Sequence, residues 1–355
     1  MKRKGLWLLL VAFLSVAVLA ACGSEGNEED TNSDSSGENA AEQESSQEEG
    51  NGEEAASDET YVIGATQIVE HPSLDAAYEG FQAAIKDAGL NVEYKFENAQ
   101  DDQNNAITIA NNFVADGVDL IFANSTPSAQ SVLQATSDIP ILFTSVTNAV
   151  DAGLVESNEQ PGGNITGVID LHPEAITNTI EFIENNFEGS TVGVIYDAGE
   201  ANSVAQIEAV KEAIDGTSLS LAEATVGNSS EVQQAATSLV GEADVIYIVT
   251  DNTVVSALET VVGVAEEQDI PLIVGEPDSV ARGGFAAYGF LYYDIGYRTG
   301  EMAVEILTGE KTPADFPVEN PPNLDFYLNK SAAEAQGVEW DAAWEEEAEL
   351  VEPAE

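Results

Sequence analysis

Asp119-Leu-Ile-Phe-Ala-Asn-Ser-Thr-Pro127, followed by Ser131-Val-Leu133, is echoed by Asp244-Val-Ile-Tyr-Ile-Val-Thr-Asp-Asn252, followed by Ser256-Ala-Leu258. In each copy an acid and a short β-branched or aromatic run lead to a polar cap and then an amphipathic stretch, which reads as strand, turn and helix. A few residues on, Asp138-Ile-Pro140 and Asp269-Ile-Pro271 each introduce a further strand. A strand–turn–helix unit repeated at one offset predicts two similar Rossmann-like lobes that present the same turn to a shared cleft.

The same alternation runs outward from the repeat. Strands are predicted at 61–67, 92–96, 120–124, 141–145, 166–170, 191–196, 219–225, 245–249, 272–275 and 286–290, with helical stretches between them, the pattern of parallel sheets joined by crossovers. The division expected is 61–166 plus 291–312 for a first lobe and 167–290 plus 313–340 for a second, with 341–355 left as an acidic tail. Three segments should form the hinge: 148–164, the neighbourhood of Gly283, Gly284 and Gly289, and the Pro-rich 313–322.

Ahead of this body, Lys2, Arg3 and Lys4 precede an apolar run from Leu6 to Ala21, the layout of a secretory signal over 1–21. The run closes on Leu19-Ala20-Ala21-Cys22-Gly23, which resembles the lipobox of bacterial lipoproteins and makes Cys22 the expected lipidation site. Residues 22–60 are Gly, Ser, Asn, Gln, Ala and acid with few branched apolar side chains, a composition that cannot offset its ordering entropy by burial. A lipid-anchored, acidic, disordered tether is expected there.

The chain of 355 residues carries 65 acidic against 10 basic residues, a formal charge of −55. Such a chain repels phosphate backbones, so nucleic acid is excluded as a partner. It fits exposure to high salt, where concentrated ions screen the repulsion. One cysteine and two histidines leave no internal disulfide and too few ligands for most His-based metal sites. A nucleophile elbow, a phosphate loop and a His-Glu-x-x-His motif are all missing, so neither an enzyme nor a cofactor is expected.

In open parallel α/β sheets, ligands lie beyond the carboxyl ends of the strands, where helix N-termini direct free N–H groups. The residues in those turns are Gln67, Glu70 and His71; Ser125 and Thr126; Ser145 and Thr147; Asp170; Tyr196, Asn202 and Ser203; Thr250, Asp251 and Asn252; Glu276; and Tyr288. Hydroxyls, amides and carboxylates with aromatics nearby suit a small polar molecule. The carboxylates of Glu70, Asp170, Asp251 and Glu276 can each receive a ligand ammonium; Asp251, which is equally a helix cap, is the one whose ammonium role is most sharply testable. With only two arginines in the body, a ligand gripped by an arginine cluster is disfavoured.

Ile63-Gly-Ala-Thr-Gln-Ile-Val-Glu-His-Pro-Ser-Leu-Asp75, Asn202-Ser-Val-Ala-Gln206, Ser230-Glu-Val-Gln-Gln-Ala-Ala236, Thr250-Asp-Asn-Thr-Val-Val-Ser-Ala257 and Tyr292-Tyr-Asp-Ile-Gly296 resemble the tryptophan/tyrosine-type substrate-binding proteins of bacterial ABC transporters. The resemblance runs from about Tyr61 to Glu319. It implies a type I periplasmic-binding-protein fold and an extracytoplasmic receptor that closes two lobes on a small ligand, an aromatic amino acid in the best-known members. The implied partners are an ABC permease with its ATPase and, through Cys22, the membrane; the receptor itself is expected to be a monomer. Where many relatives have Val-Thr-Asp-Pro-Val, this chain has Val146-Thr-Asn-Ala-Val150, which lacks the carboxylate and the rigid turn. A sugar or nucleoside receptor of the same fold, and a sensory module that presents ligand without transport, are the alternatives.

Overall fold

A computed structural model describes residues 60–354. The signal segment, Cys22 and the tether as far as residue 59 lie outside the described residues. The first lobe is built from β1 (Thr60–Gln67), α1 (Pro72–Asp87), β2 (Asn91–Asn98), α2 (Gln103–Asp116), β3 (Leu120–Asn124), α3 (Thr126–Ala135), β4 (Ile141–Val146) and β5 (Ile165–Ile169). Its five strands are all parallel, in the order β2-β1-β3-β4-β5. The chain then crosses to α4 (Ala175–Asn186), β6 (Thr191–Asp197), α5 (Ala201–Ile214), β7 (Ser220–Val226), α6 (Val232–Ser238), β8 (Val245–Ile248), α7 (Asn252–Ser256), α8 (Leu258–Glu267), β9 (Leu272–Val274), α9 (Pro277–Ala281) and β10 (Ala286–Gly289). It returns to the first lobe as α10 (Tyr292–Leu307) and ends in the second with β11 (Asp325–Leu328), α11 (Lys330–Ala335) and β12 (Ala348–Leu350).

The repeat is structural. The order β7-β6-β8-β9-β10 reproduces that of the first sheet, extended by antiparallel β11 and by β12. The acid that opens each copy plays the same part in both lobes. Asp119 Oδ2 accepts the β1 N–H of Val62 at 2.7 Å, and Asp244 Oδ2 accepts the β6 N–H of Thr191 at 2.9 Å. Each satisfies a backbone donor where its sheet begins. Both sheets are covered on two faces, so β3, β4, β8 and β9 are buried along their whole length. In the first lobe, α2 and α3 cover one face around Phe113 and Ile121, while α1 and α10 cover the other around Phe81 and Phe122.

The hinge and the lobe boundaries differ from expectation. Segment 148–164 is not a crossing: β5 pairs with β4 in the first sheet, and Asn164 donates to the carbonyl oxygens of Thr136 and Ile139. An apolar strand such as Ile165–Ile169 must pair and be covered, so the first crossing moves past it to 170–174. Gly283 and Gly284 sit inside the second lobe, and the second crossing is Phe290–Leu291. Residues 313–319 stay with the first lobe, where the Glu319 N–H reaches Gly167 O at 3.0 Å and the Arg298 guanidinium grips the Glu319 carboxylate through two 2.8 Å bonds. The third crossing is therefore 320–324. Nor is 341–355 a tail: β12 edges the second sheet beside β11, and Trp344 packs 5.4 Å from Phe182, ring to ring.

Candidate ligand-binding cleft

The carboxyl ends of β1, β3 and β4 face those of β6, β8 and β9, and the turns that follow form two walls. On the first wall, Gln67 Nε2 donates to Asp75 Oδ1 at 2.9 Å, and Asn124 donates to Leu74 O at 2.7 Å while accepting from Ser145 Oγ at 2.7 Å. Ser125 caps α3 by accepting the Ser128 N–H at 3.3 Å. Ser125 and Ser145 hold φ of 128° and 57°, as do Gln100 and Asp101 at 57° and 58° in the turn after β2. Non-glycine residues in this region cost about 1–3 kcal/mol each, and four of them gather on one edge of one lobe. Thr126 Oγ1, in the first turn of α3, is buried with no protein partner. His71 precedes α1 and is buried; burial first, then the charge of Arg282, lowers it to about 4, so the imidazole is neutral at physiological pH.

On the second wall, Asp251 caps α7 through Oδ1, which accepts the Val254 N–H at 2.7 Å, while Oδ2 accepts the Asp197 N–H at 2.7 Å and Ser203 Oγ at 2.6 Å. Both oxygens are engaged within the lobe, so the ammonium role expected of Asp251 is not the arrangement found. Glu200, just before α5, accepts the side-chain amides of Asn202 at 2.9 Å and of Asn252. Asn202 Oδ1 is left buried and without a protein partner. Glu276 accepts from Ser279 Oγ at 2.7 Å and faces Ser73 on α1. Burial raises all three carboxyls; for Asp251 and Glu200 the values reach about 6 and about 8, Asp251 adding to the rise at Glu200.

The walls touch. Gln206 Nε2 on α5 donates to Thr147 Oγ1 of the first lobe at 3.2 Å and to Thr250 Oγ1 at 2.8 Å. Thr253 Oγ1 donates to Asp101 Oδ1 at 3.0 Å, and Asn252 bonds to His71. At the hinge, Asp170 accepts from Thr147 Oγ1 at 3.2 Å and from Tyr292 OH at 2.8 Å, and burial raises it to about 6. The lobes are shut, and the N-termini of α1, α3 and α5 converge on the space between them, placing positive dipole and free N–H groups beside hydroxyls. That combination suits a carboxylate at one end of a molecule and an ammonium, at the amide and carboxylate oxygens, at the other.

Three expected site residues lie elsewhere. Glu70 is exposed. Tyr196 turns its hydroxyl to Glu223 at 3.0 Å along the β6–β7 pair, and Tyr288 stacks on Phe326 at 4.5 Å on the outer side of the second sheet. Strand alternation explains both, since neighbouring side chains leave opposite faces. Asp101, Glu200, Gln206 and Thr253 are site residues the sequence reading passed over. The turn after β2 that holds Asp101 obeys the same strand-end rule as the others, and the rule would have found it.

The family profile described as ABC transporter substrate binding protein matches residues 62–351. A curated tyrosine-binding protein of Clostridioides difficile is 38% identical over 338 residues, 94% of this chain and 92% of that one. A Streptococcus pneumoniae ABC domain solved with L-Trp is 32% identical, covers 82% of this chain and 100% of its own, and overlays with a TM-score of 0.78. The ligand-free, open structure of a Clostridium difficile substrate-binding protein with adhesive properties is 39% identical, covers 83% and 100%, and overlays at only 0.61. The chain nearer in sequence is thus the poorer overlay, as the shut lobes require. With the profile matched across nearly the whole described chain, on the type I periplasmic-binding-protein fold that the repeat anticipates, this chain belongs to the ABC transporter substrate-binding protein family, whose members bind solutes and are not enzymes.

Proposed function

We propose that this chain is the receptor of an ABC importer for an aromatic amino acid, tyrosine or tryptophan, held as a zwitterion between its lobes. The observation that carries the reading is the pairing of two buried, partnerless polar atoms on opposite walls. Thr126 Oγ1 stands at the N-terminus of α3, and Asn202 Oδ1 stands across the cleft in the first turn of α5. A hydroxyl beside a helix N-terminus suits the ligand carboxylate; a buried amide oxygen that lacks a donor suits the ammonium. Each left unpaired costs about 1–3 kcal/mol, which a zwitterion removes on binding. The names of the relatives, tyrosine-binding and L-Trp-bound, point the same way. Of the expected contacts, Ser125, Thr126, Ser145, Thr147, Asp170, Asn202, Asn252 and His71 stay in the proposed site. The receptor works as a monomer at the outer face of the cytoplasmic membrane, tethered by a lipid on Cys22, and its acidic surface suits salty surroundings.

Calorimetric titration with tyrosine, tryptophan, glucose and a nucleoside tests this. Saturable 1:1 binding of an aromatic amino acid is expected, with Asn202→Ala and Thr126→Val each weakening it roughly tenfold, about 1.4 kcal/mol. Binding of glucose or the nucleoside in preference to both amino acids would overturn the assignment.

A further inference from the structure

Glu200 is in none of the motifs that carry the family resemblance, yet it is the most heavily bonded carboxyl of the cleft. Oε2 accepts Asn202 Nδ2 at 2.9 Å, Asn252 Nδ2 and the Asn252 N–H at 3.4 Å, while Oε1 accepts the Thr253 N–H at 3.3 Å. A carboxyl oxygen that receives two amides fixes which way each amide faces. With Nδ2 turned to Glu200, the carbonyl oxygen of Asn202 must point away, where it is buried without a protein partner.

The other oxygen poses a question of protons. Thr253 Oγ1 lies 3.1 Å from Glu200 Oε1 and 3.0 Å from Asp101 Oδ1 on the opposite lobe. One hydroxyl has one proton and cannot donate to two carboxylates. If it donates across the cleft to Asp101, the proton between Thr253 and Glu200 belongs to Glu200.

We propose that Glu200 is a positioning residue that couples ligand recognition to lobe closure: Oε2 aims the Asn202 carbonyl at the ligand, and Oε1 as O–H donates to Thr253, freeing Thr253 to bond Asp101 of the other lobe. Burial, with Asp251 adding its charge, pushes Glu200 to about 8, so it holds this proton at neutral pH. The charged or titratable groups around the relay are Asp251 at the start of α7, Asp197 at the end of β6, Asp101 after β2, and His71 through Asn252. Asp251 at about 6 and His71 at about 4 lie below the range tested; burial raises Asp101 as well, so the comparison with Glu200→Gln is what isolates the response of Glu200. Opening the lobes hydrates Glu200 and lowers its pKa, so ionisation favours the open form, and closure is lost as pH rises through about 8.

Glu200→Gln keeps the relay without the proton, because its amide N–H donates to Thr253 and its carbonyl accepts from Asn202 and Asn252. Thr253→Val removes the relay and keeps the shape. Tyrosine affinity should fall from pH 7 to pH 9.5 by up to about tenfold more in the parent than in either variant, because about one pH unit separates pH 7 from the closed-form value of about 8; titration of the ligand amine is common to all three. Small-angle scattering of the ligand-free chains should show the parent alone expanding over the same interval. Equal pH slopes with unchanged radii in all three proteins would overturn the relay. The aiming half rests on the amino-acid reading above: folded Glu200→Leu should prefer tyrosine over 3-(4-hydroxyphenyl)propionate less than the parent does, and an unchanged preference would overturn it. If none of the proteins binds tyrosine at any pH, the amino-acid reading and its aiming half fall together, and the scattering radii still decide the relay.

Discussion

Asp251 shows how far a residue's chemistry is legible before its neighbours are known. A carboxylate between a strand and a helix can cap or can bind a cation, and the sequence admits both. The fold decides for structure: Oδ1 caps α7, and Oδ2 ties it to the Asp197 N–H and the Ser203 hydroxyl, joining the turns after β6 and β8. Asp251→Asn replaces one accepting oxygen by an N–H₂ group, which cannot serve these donors. At least one buried donor is left unpaired, at about 1–3 kcal/mol. Urea unfolding of the ligand-free chain should show a loss of about 2 kcal/mol with an unchanged m-value. An unchanged midpoint would return Asp251 to the ligand.

The crossing of α1 and α10 is the corresponding test among elements. A Cβ at Gly296 would stand 1.8 Å from Ala77 O, and one at Gly80 would stand 2.0 Å from Tyr293 O, so only glycine lets the two helices come this near. Alanine gains about 1 kcal/mol in helix propensity but forces the helices apart, and overpacking of this kind costs about 1–3 kcal/mol or more. Gly296→Ala should therefore lower the melting temperature. It should also weaken ligand binding, because α10 carries Tyr292, whose hydroxyl fixes Asp170 at the hinge. A variant with the parent's melting temperature and affinity would show that the helices part without cost. Elements of this strength were also the legible ones: β3 and β4 announce themselves as apolar runs between turn residues, and the repeat gave away the correspondence of β3 with β8. The short strands did not. Asp325-Phe-Tyr-Leu328 and Ala348-Glu-Leu350 are too brief for periodicity, with acids at and around them, so neither is predicted as a strand and the second falls in the expected acidic tail. Likewise the helical stretch that follows β8 breaks at Ala257 into α7 and α8, a backbone change with no glycine or proline to signal it. In the site, the turns were found by rule, while Glu200 and Gln206 matter through partners some fifty residues away, a distance no local pattern spans.

For the molecule as a whole, two kinds of charge respond differently to pH and salt. The net charge of −55 is spread over the chain, and its self-repulsion is long-ranged, so added ions screen it. The buried carboxyls are another matter. Asp170 and Asp251 at about 6 and Glu200 at about 8 all lie above their ordinary values near 4, so between these limits the folded chain holds protons that the unfolded chain has lost. Stability from these groups is complete below pH 4 and is lost as pH rises through 6 to 8. His71 opposes them: lowered to about 4, it costs stability as pH falls from about 6.5, but it is one proton against three. Melting temperatures should therefore rise from pH 9 to pH 6. In low salt both terms contribute; in molar NaCl the slope should shrink and persist, because screening does not reach groups buried in the cleft. Glu200→Gln should flatten what remains between pH 7 and 9 while leaving the gain from salt intact. A slope that vanishes in molar NaCl would assign the whole dependence to surface repulsion and leave the cleft carboxyls no part in it.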